Sequence, residues 1–229
     1  MVSQVVATIF RSDLSDRLDS AHAAITKFEY LASYSWLESD VPTILVPGYP
    51  PLWLPPAGPL KLEPDSGRVY IDENAARIPD APLEPLFGAL FTQNPGFEMG
   101  SVDMITDRNN IRKLLRFIDG TSSESFKIQV EIVDGKRALF TRMENETTTV
   151  IQGFRGYGRN FEKACTNSAT GTSGYHRITS FRFGDLKCVV RHETDGYIDD
   201  ALGQAAAQKQ TKTTDSLPQL LETLRLADQ

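Results

Sequence analysis

Between Val41 and Pro64 the chain carries eight of its thirteen prolines. A prolyl ring fixes φ and removes the backbone donor, so neither a helix interior nor a central strand can run through this stretch. The fold must accommodate an extended arm (residues 41–64) between an N-terminal segment and the rest of the chain. Its centre, Pro50-Pro51-Leu52-Trp53-Leu54-Pro55-Pro56, has the form of a polyproline ligand for an SH3-type groove. Leu52, Trp53 and Leu54 are costly to leave in water, so the arm is expected to pack on its own domain. A protein partner reached through the arm is the alternative.

Hydrophobic periodicity supplies the elements on either side. Ser12 or Asp13 caps an expected helix in which Leu14, Leu18, Ala21, Ile25, Phe28 and Ala32 recur at three- and four-residue steps, with His22 at its boundary. The aromatic run Tyr30 to Trp36 continues or ends it. Asp80 to Asn94 reads as a second helix, with Leu83, Leu86, Phe87, Leu90 and Phe91 on one side and Pro82 in the first turn. Ser101 to Thr106 reads as a short strand. Asp107 to Ile118 reads as a third helix with Ile111, Leu114, Leu115 and Ile118 as its buried stripe and Asp119-Gly120 as its stop. Arg108, Arg112 and Arg116 follow at four-residue steps on another face. Phe126, Ile128, Val130 and Ile132 alternate with polar residues, Asp134-Gly135 turns the chain, and Arg137 to Met143 returns. The glycine-rich Gly153 to Gly158 leads into a helix around Phe161 to Ala164. Arg177 to Phe183 and Leu186 to His192 form two strands joined at Gly184-Asp185.

That order predicts a single α+β domain over residues 1–200, with a mostly antiparallel or mixed sheet flanked by helices. Residues 201–229 read as a polar linker and a short C-terminal helix carrying Leu220, Leu221, Leu224 and Leu226. The net charge of −6 restricts any nucleic-acid contact to a local basic patch. Two cysteines without a CxxC argue against a disulfide scaffold or zinc knot and for an intracellular compartment, nucleus or cytoplasm. No apolar run reaches membrane-spanning length, and Met1 to Phe10 lacks the basic start of a secretory signal.

The chemistry centres on Arg191-His192-Glu193-Thr194-Asp195-Gly196. Carboxylates two residues apart on a strand share a face, and such a pair repels itself unless a cation or proton intervenes. A divalent-metal site is the resulting hypothesis; a solvated strand end is the bland reading. By the same parity Lys187, Val189 and Arg191 share that face. The glycine cluster has neither dinucleotide nor Walker A spacing, and it departs from the RNP1 signature at Arg159, Asn160 and Glu162. Three histidines and no GxSxG elbow leave no hydrolase triad and too few zinc ligands.

Read together, these pieces resemble the DXO family of RNA decapping and deNADding exonucleases. Asp103 to Arg108, followed by Asn109 to Leu115, is similar to its first motif, an arginine that opens a helix. Phe126 to Glu144 resembles the hairpin that precedes the family's active site. Gly158-Arg159-Asn160-Phe161-Glu162 matches the second motif and Glu193-Thr194-Asp195 the third. The resemblance implies a PD-(D/E)xK nuclease-like core in which Glu162, Glu193 and Asp195 are catalytic and hold Mg²⁺ or Mn²⁺. It implies that Arg108 handles phosphate of an RNA 5′ end. Arg112, Lys187 and Arg191 are the other candidate phosphate contacts. The chain is also similar to fungal proteins that often carry a prenyl-diphosphate synthase label, yet Asp199-Asp200 is not an aspartate-rich magnesium motif and has no second copy. The family's fourth motif, glutamate-x-lysine, has no counterpart after Asp195, so the core is expected to be incomplete, with a sheet edge left unpaired. A non-catalytic RNA- or protein-binding module, using the basic helix 108–116 or the arm, is the alternative function.

Overall fold

The computed structural model describes residues 5, 7–14, 24–121 and 124–199. The expected linker and helix of 201–229 lie outside these residues. In chain order the elements are β1 (Ile25–Leu37), β2 (Ile44–Leu45), β3 (Leu52–Trp53), β4 (Gly67–Tyr70), α1 (Glu73–Arg77), α2 (Glu84–Gln93), β5 (Met104–Asp107) and α3 (Arg108–Asp119). They continue as β6 (Lys127–Val133), β7 (Arg137–Met143), β8 (Thr148–Ile151), α4 (Gly158–Cys165), β9 (Thr166–Asn167), β10 (Thr172–Phe183) and β11 (Leu186–Glu193). Seven strands form the main sheet in the order β2-β1-β10-β11-β5-β7-β6. Pairing is antiparallel except on the two sides of β5, so the sheet is mixed and the fold α+β, as the element order predicts.

The two hairpins form where alternation and turn residues place them, β6/β7 at Asp134-Gly135 and β10/β11 at Gly184-Asp185. Asp134, Gly135 and Gly184 all take positive φ, a conformation that Asn, Asp and Gly tolerate best. Burial then selects the core. Ala32, Tyr34 and Trp36 of β1 meet Leu86 and Ala89 of α2, with Ile105, Ile178 and Val189 from the neighbouring strands. Truncating a fully buried leucine such as Leu86 to alanine costs about 2–5 kcal/mol, enough to threaten a fold of ordinary stability.

The N-terminal helix is corrected. A short 3₁₀ turn occupies Arg11–Asp13, and Ile25, Phe28 and Ala32 belong to the long strand β1. Leu18, Ala21 and His22 lie outside the described residues. The stripe expected on α3 is also corrected: Leu115 and Ile118 are 55% and 58% exposed, and the residue that α3 buries completely is Asn110. The Asn110 amide donates to Thr106 Oγ1 and to the Phe140 carbonyl, tying the helix to β5 and β7.

The outer strands of the sheet are β2 and β6, and β11 is paired by β10 up to Glu193 and by β5 as far as Arg191. The strand position across from Glu193 on β10 is occupied by His176.

The arm packs on the domain. Leu52–Trp53 pairs with Thr166 and Asn167, and the Trp53 ring lies 5.7 Å from Phe161 of α4. Trp53 N–H donates to the Tyr197 carbonyl, and Tyr197 N–H donates to Pro51 O, which pins the chain just after Asp195. Gly48 packs so close to the Tyr34 backbone that a Cβ would overlap it, so no larger residue fits.

A buried polar chain links α1, β1 and β10. Tyr34 donates its hydroxyl to Asn74 Oδ1, and Trp36 Nε1 donates to the same oxygen at 3.2 Å. Asn74 Nδ2 lies 3.2 Å from His176 Nε2, and His176 Nδ1 lies 2.8 Å from the Gly174 carbonyl. These partners fit a neutral ring protonated at Nδ1. Burial, reinforced by Arg191, lowers the His176 pKa to about 3. The unfolded chain therefore takes up a proton at a pH where the folded chain does not. Stability is expected to be intact above pH 6.5 and to fall by up to about 1.4 kcal/mol per pH unit as pH drops towards 3. Urea unfolding between pH 7.5 and 5 measures this, and His176→Gln should flatten the curve; an equal slope in both proteins refutes it.

Candidate functional site

α3 begins directly after β5 without a side-chain cap, because the Asp107 carboxylate faces inward to Arg191. This start directs Arg108 and Arg112 over the C-terminal end of β11. α1 approaches from the other side, capped by Asp72, which accepts the Ala75 N–H at 3.0 Å. α4 enters from beneath. Asp65 from the end of the arm accepts the Arg159 and Asn160 N–H groups at 3.2 and 2.9 Å, and Asn160 Nδ2 donates to the Glu63 and Pro64 carbonyls. The N-terminus of α4 is thus occupied by a carboxylate of the chain itself. The glycine-rich loop is a turn before a helix.

These elements enclose a cleft of about 430 Å³. Arg108, Arg112, Arg142, Arg159 and Lys163 line it, together with His192. Asp72, Glu73, Asp107 and Glu193 supply the acids on its walls. Arg142 is held by Glu144 at 2.6 Å and lies 3.9 Å from Asp72. Arg108 Nη2 reaches the Glu193 carbonyl at 3.4 Å, and Arg159 Nη2 reaches the Tyr70 carbonyl at 3.3 Å. Among the described residues, Arg112 and Lys163 have no ion-pair partner. His192 is held below its usual pKa by burial and by Arg108 and Arg177, so it is neutral at pH 7.

The three carboxylates singled out by spacing sense one another. Partial burial and then Asp195 raise the Glu162 pKa. Burial, then Asp195, Glu73 and Glu162, raise that of Glu193, against the pull of Arg159. Yet among the described residues no three His, Cys, Asp or Glu side chains stand close enough together to hold a metal ion. Glu73, which enters this field from α1, is bound to Arg77 at 2.8 Å and to Ser173 Oγ at 2.8 Å. Hard carboxylate oxygens are the donor class that Mg²⁺ and Mn²⁺ prefer, so the set fits the ion chemically while its members stand apart.

Two of the expected phosphate contacts are engaged by partners within the chain, Arg191 on the cleft wall and Lys187 away from it. Arg191 is 1% exposed; its Nε and Nη2 donate to the two Asp107 oxygens at 2.6 and 3.0 Å, and Nη1 donates to Pro82 O and the Tyr34 hydroxyl. Its charge is answered inside the protein. Lys187 sits at the far end of β11, donating to Ser101 Oγ at 3.1 Å over the Phe97 ring. Sequence reasoning missed Glu73, Arg142 and Lys163. Only the Asp72 cap before Glu73 gave a local signal, and five helical residues are too few for a periodic pattern.

The mixed sheet flanked by a few helices is an α+β fold similar to that of Rai1. S. pombe Rai1 superposes with a TM-score of 0.50 at 16% identity, over 84% of this chain and 59% of that one. The same protein in complex with 3′-FADP gives the same values. This chain spans little more than half the length of that solved relative. No curated protein matches the sequence. The chain belongs to the family described as "Domain of unknown function (DUF8563)", whose match covers residues 3–227. Among the described residues no helix is long and apolar enough to cross a membrane.

Proposed function

We propose that this chain is a DXO-like RNA 5′-end processing protein that takes the phosphorylated end of an RNA into the cleft between α1, α3 and α4. The observation that carries this reading is the convergence of Arg108, Arg112, Arg142, Arg159 and Lys163 in a protein whose net charge is −6. A local excess of guanidinium groups in an acidic molecule is suited to phosphate and keeps its field confined to one place. The fold likeness to Rai1, solved in complex with 3′-FADP, agrees with it. Retention of the RNA end is the part that the geometry supports best.

Hydrolysis is the second reading, favoured by the mutual repulsion of Glu162, Glu193 and Asp195. These residues would hold Mg²⁺ or Mn²⁺, and a cation there would supply an activated water and offset phosphate charge. The separation of the three acids and His176 opposite Glu193 count against it. Two measurements decide. Fluorescence anisotropy with 5′-monophosphate and 5′-hydroxyl RNA tests retention: preference for the phosphate is expected, and equal affinity defeats the proposal. Capped and 5′-monophosphate RNA with Mn²⁺ test turnover; product that disappears in Asp195→Ala establishes hydrolysis.

Cation binding has a readout apart from activity. Relief of the acid repulsion should raise the melting temperature at pH 7.5 by about 4–10 °C when Mn²⁺ is a hundredfold above its dissociation constant. The gain should shrink as the pH falls and these acids, whose pKa values are raised, protonate, and it should vanish in Glu193→Gln. No shift in the parent protein removes the metal from the proposal.

A further inference from the structure

β6 closes one edge of the main sheet, and among the described residues it pairs with β7 alone. Both of its faces reach the surface: Lys127, Gln129 and Glu131 are exposed on one, and Val130 and Ile132 are 52% and 58% exposed on the other. Phe126 continues the apolar face, 6.0 Å from the Phe117 ring of α3, and the exposed Leu115 and Ile118 lie on that same helix. A seven-residue edge of this kind is a template for another strand unless charge or curvature blocks it.

The charge pattern here does not block it. In an antiparallel pair formed by two copies about a two-fold axis at Gln129, residues whose numbers sum to 258 face each other. Lys127 then stands opposite Glu131 of the second copy, and the symmetry repeats that pair. On the other face Ile128 meets Val130 and Phe126 meets Ile132. Moving the axis by one residue to Ile128 or Val130 breaks the Lys127–Glu131 pairing. One register thus satisfies the ladder, the charges and the apolar face together, as an isologous interface requires. We infer that the occupant of this edge is a second copy of the same chain, joined through β6 into one continuous sheet. The interface lies on β6, at the edge of the sheet, and does not depend on what the cleft binds.

Sedimentation velocity of the full chain across the micromolar range tests this. The parent protein should dimerise. Lys127→Glu should weaken dimerisation by about tenfold or more, because two like-charge pairs replace two opposite ones. Glu131→Lys should do the same. Mixing the two single variants should restore a dimer, since one chain then carries only acids at these positions and the other only bases. The double variant K127E/E131K should dimerise by itself. A parent that stays monomeric overturns the inference. So does a dimer that ignores both single substitutions, or single variants that stay apart when mixed. Circular dichroism of each variant separates loss of pairing from loss of fold.

Discussion

Arg191→Ala is expected to remove about 3–5 kcal/mol of folding stability, a large share of what a domain of this size possesses. The guanidinium is buried, bidentate to Asp107 and bonded to Tyr34 and Pro82. Burial opposes its charge, and Asp107, Tyr34 and Asp72 together more than offset that penalty. Removing only the arginine leaves Asp107 partly buried beside β5 without its counter-charge, and leaves Pro82 O and the Tyr34 hydroxyl short of a donor. The melting temperature should fall by about 6–20 °C. Arg191→Met with Asp107→Leu should recover much of the loss, because removing both ions removes the desolvation cost as well. Urea denaturation of the two single variants and the double variant closes the cycle. Strand parity alone places Arg191 beside Glu193 as a phosphate contact. If that were its role, Arg191→Ala would weaken RNA binding and leave stability within about 1 kcal/mol of the parent.

Arg191 also marks the boundary of what the sequence makes legible. Parity correctly puts it on the face of Glu193, but parity does not say what covers that face. The cover comes from Tyr34 and Pro82, more than a hundred residues away in the chain. Elements built from local signals appear where expected: α3 with Gly120 in the left-handed conformation as its stop, both hairpins with their turns, and α4 after the glycine-rich loop. β1 reads as a helix for a physical reason. Its pairing with β10 shifts register between Thr26 and Glu29, between Tyr30 and Ala32, and between Ser35 and Trp36, and Lys27 takes a positive φ. Each shift displaces the inward set by a residue, so a strand with bulges shows three- and four-residue steps that imitate a helix. The three candidate acids were partly legible, and of them Glu193 alone lines the cleft. Glu162, Glu193 and Asp195 do share an electrostatic field, as their spacing and motif order imply. The chain just after Asp195 is tied to the arm through Tyr197, Pro51 and Trp53, and no short-range pattern encodes that.

The second large effect concerns the cleft itself. Arg112→Glu with Lys163→Glu is expected to lower affinity for 5′-monophosphate RNA by about a hundredfold at low salt, with little change in folding stability. These two cations are the informative pair because neither is held in an ion pair among the described residues, so their removal orphans no internal acid. They come from different helices, α3 and α4, and face the same cleft. The milder change to alanine at both positions should reduce the slope of log affinity against log salt by about 0.7 for each phosphate that is no longer neutralised. Arg116→Glu is the matched control. It lies on α3 one turn beyond Arg112, outside the cleft lining, and changes the net charge in the same direction. If affinity followed net charge alone, Arg116→Glu would cost about as much as Arg112→Glu. A cost confined to Arg112 and Lys163 means that the phosphate is gripped between α3 and α4. Equal costs at Arg112 and Arg116 mean that RNA meets the helix only as a diffuse positive face, and the cleft is then not where the 5′ end sits.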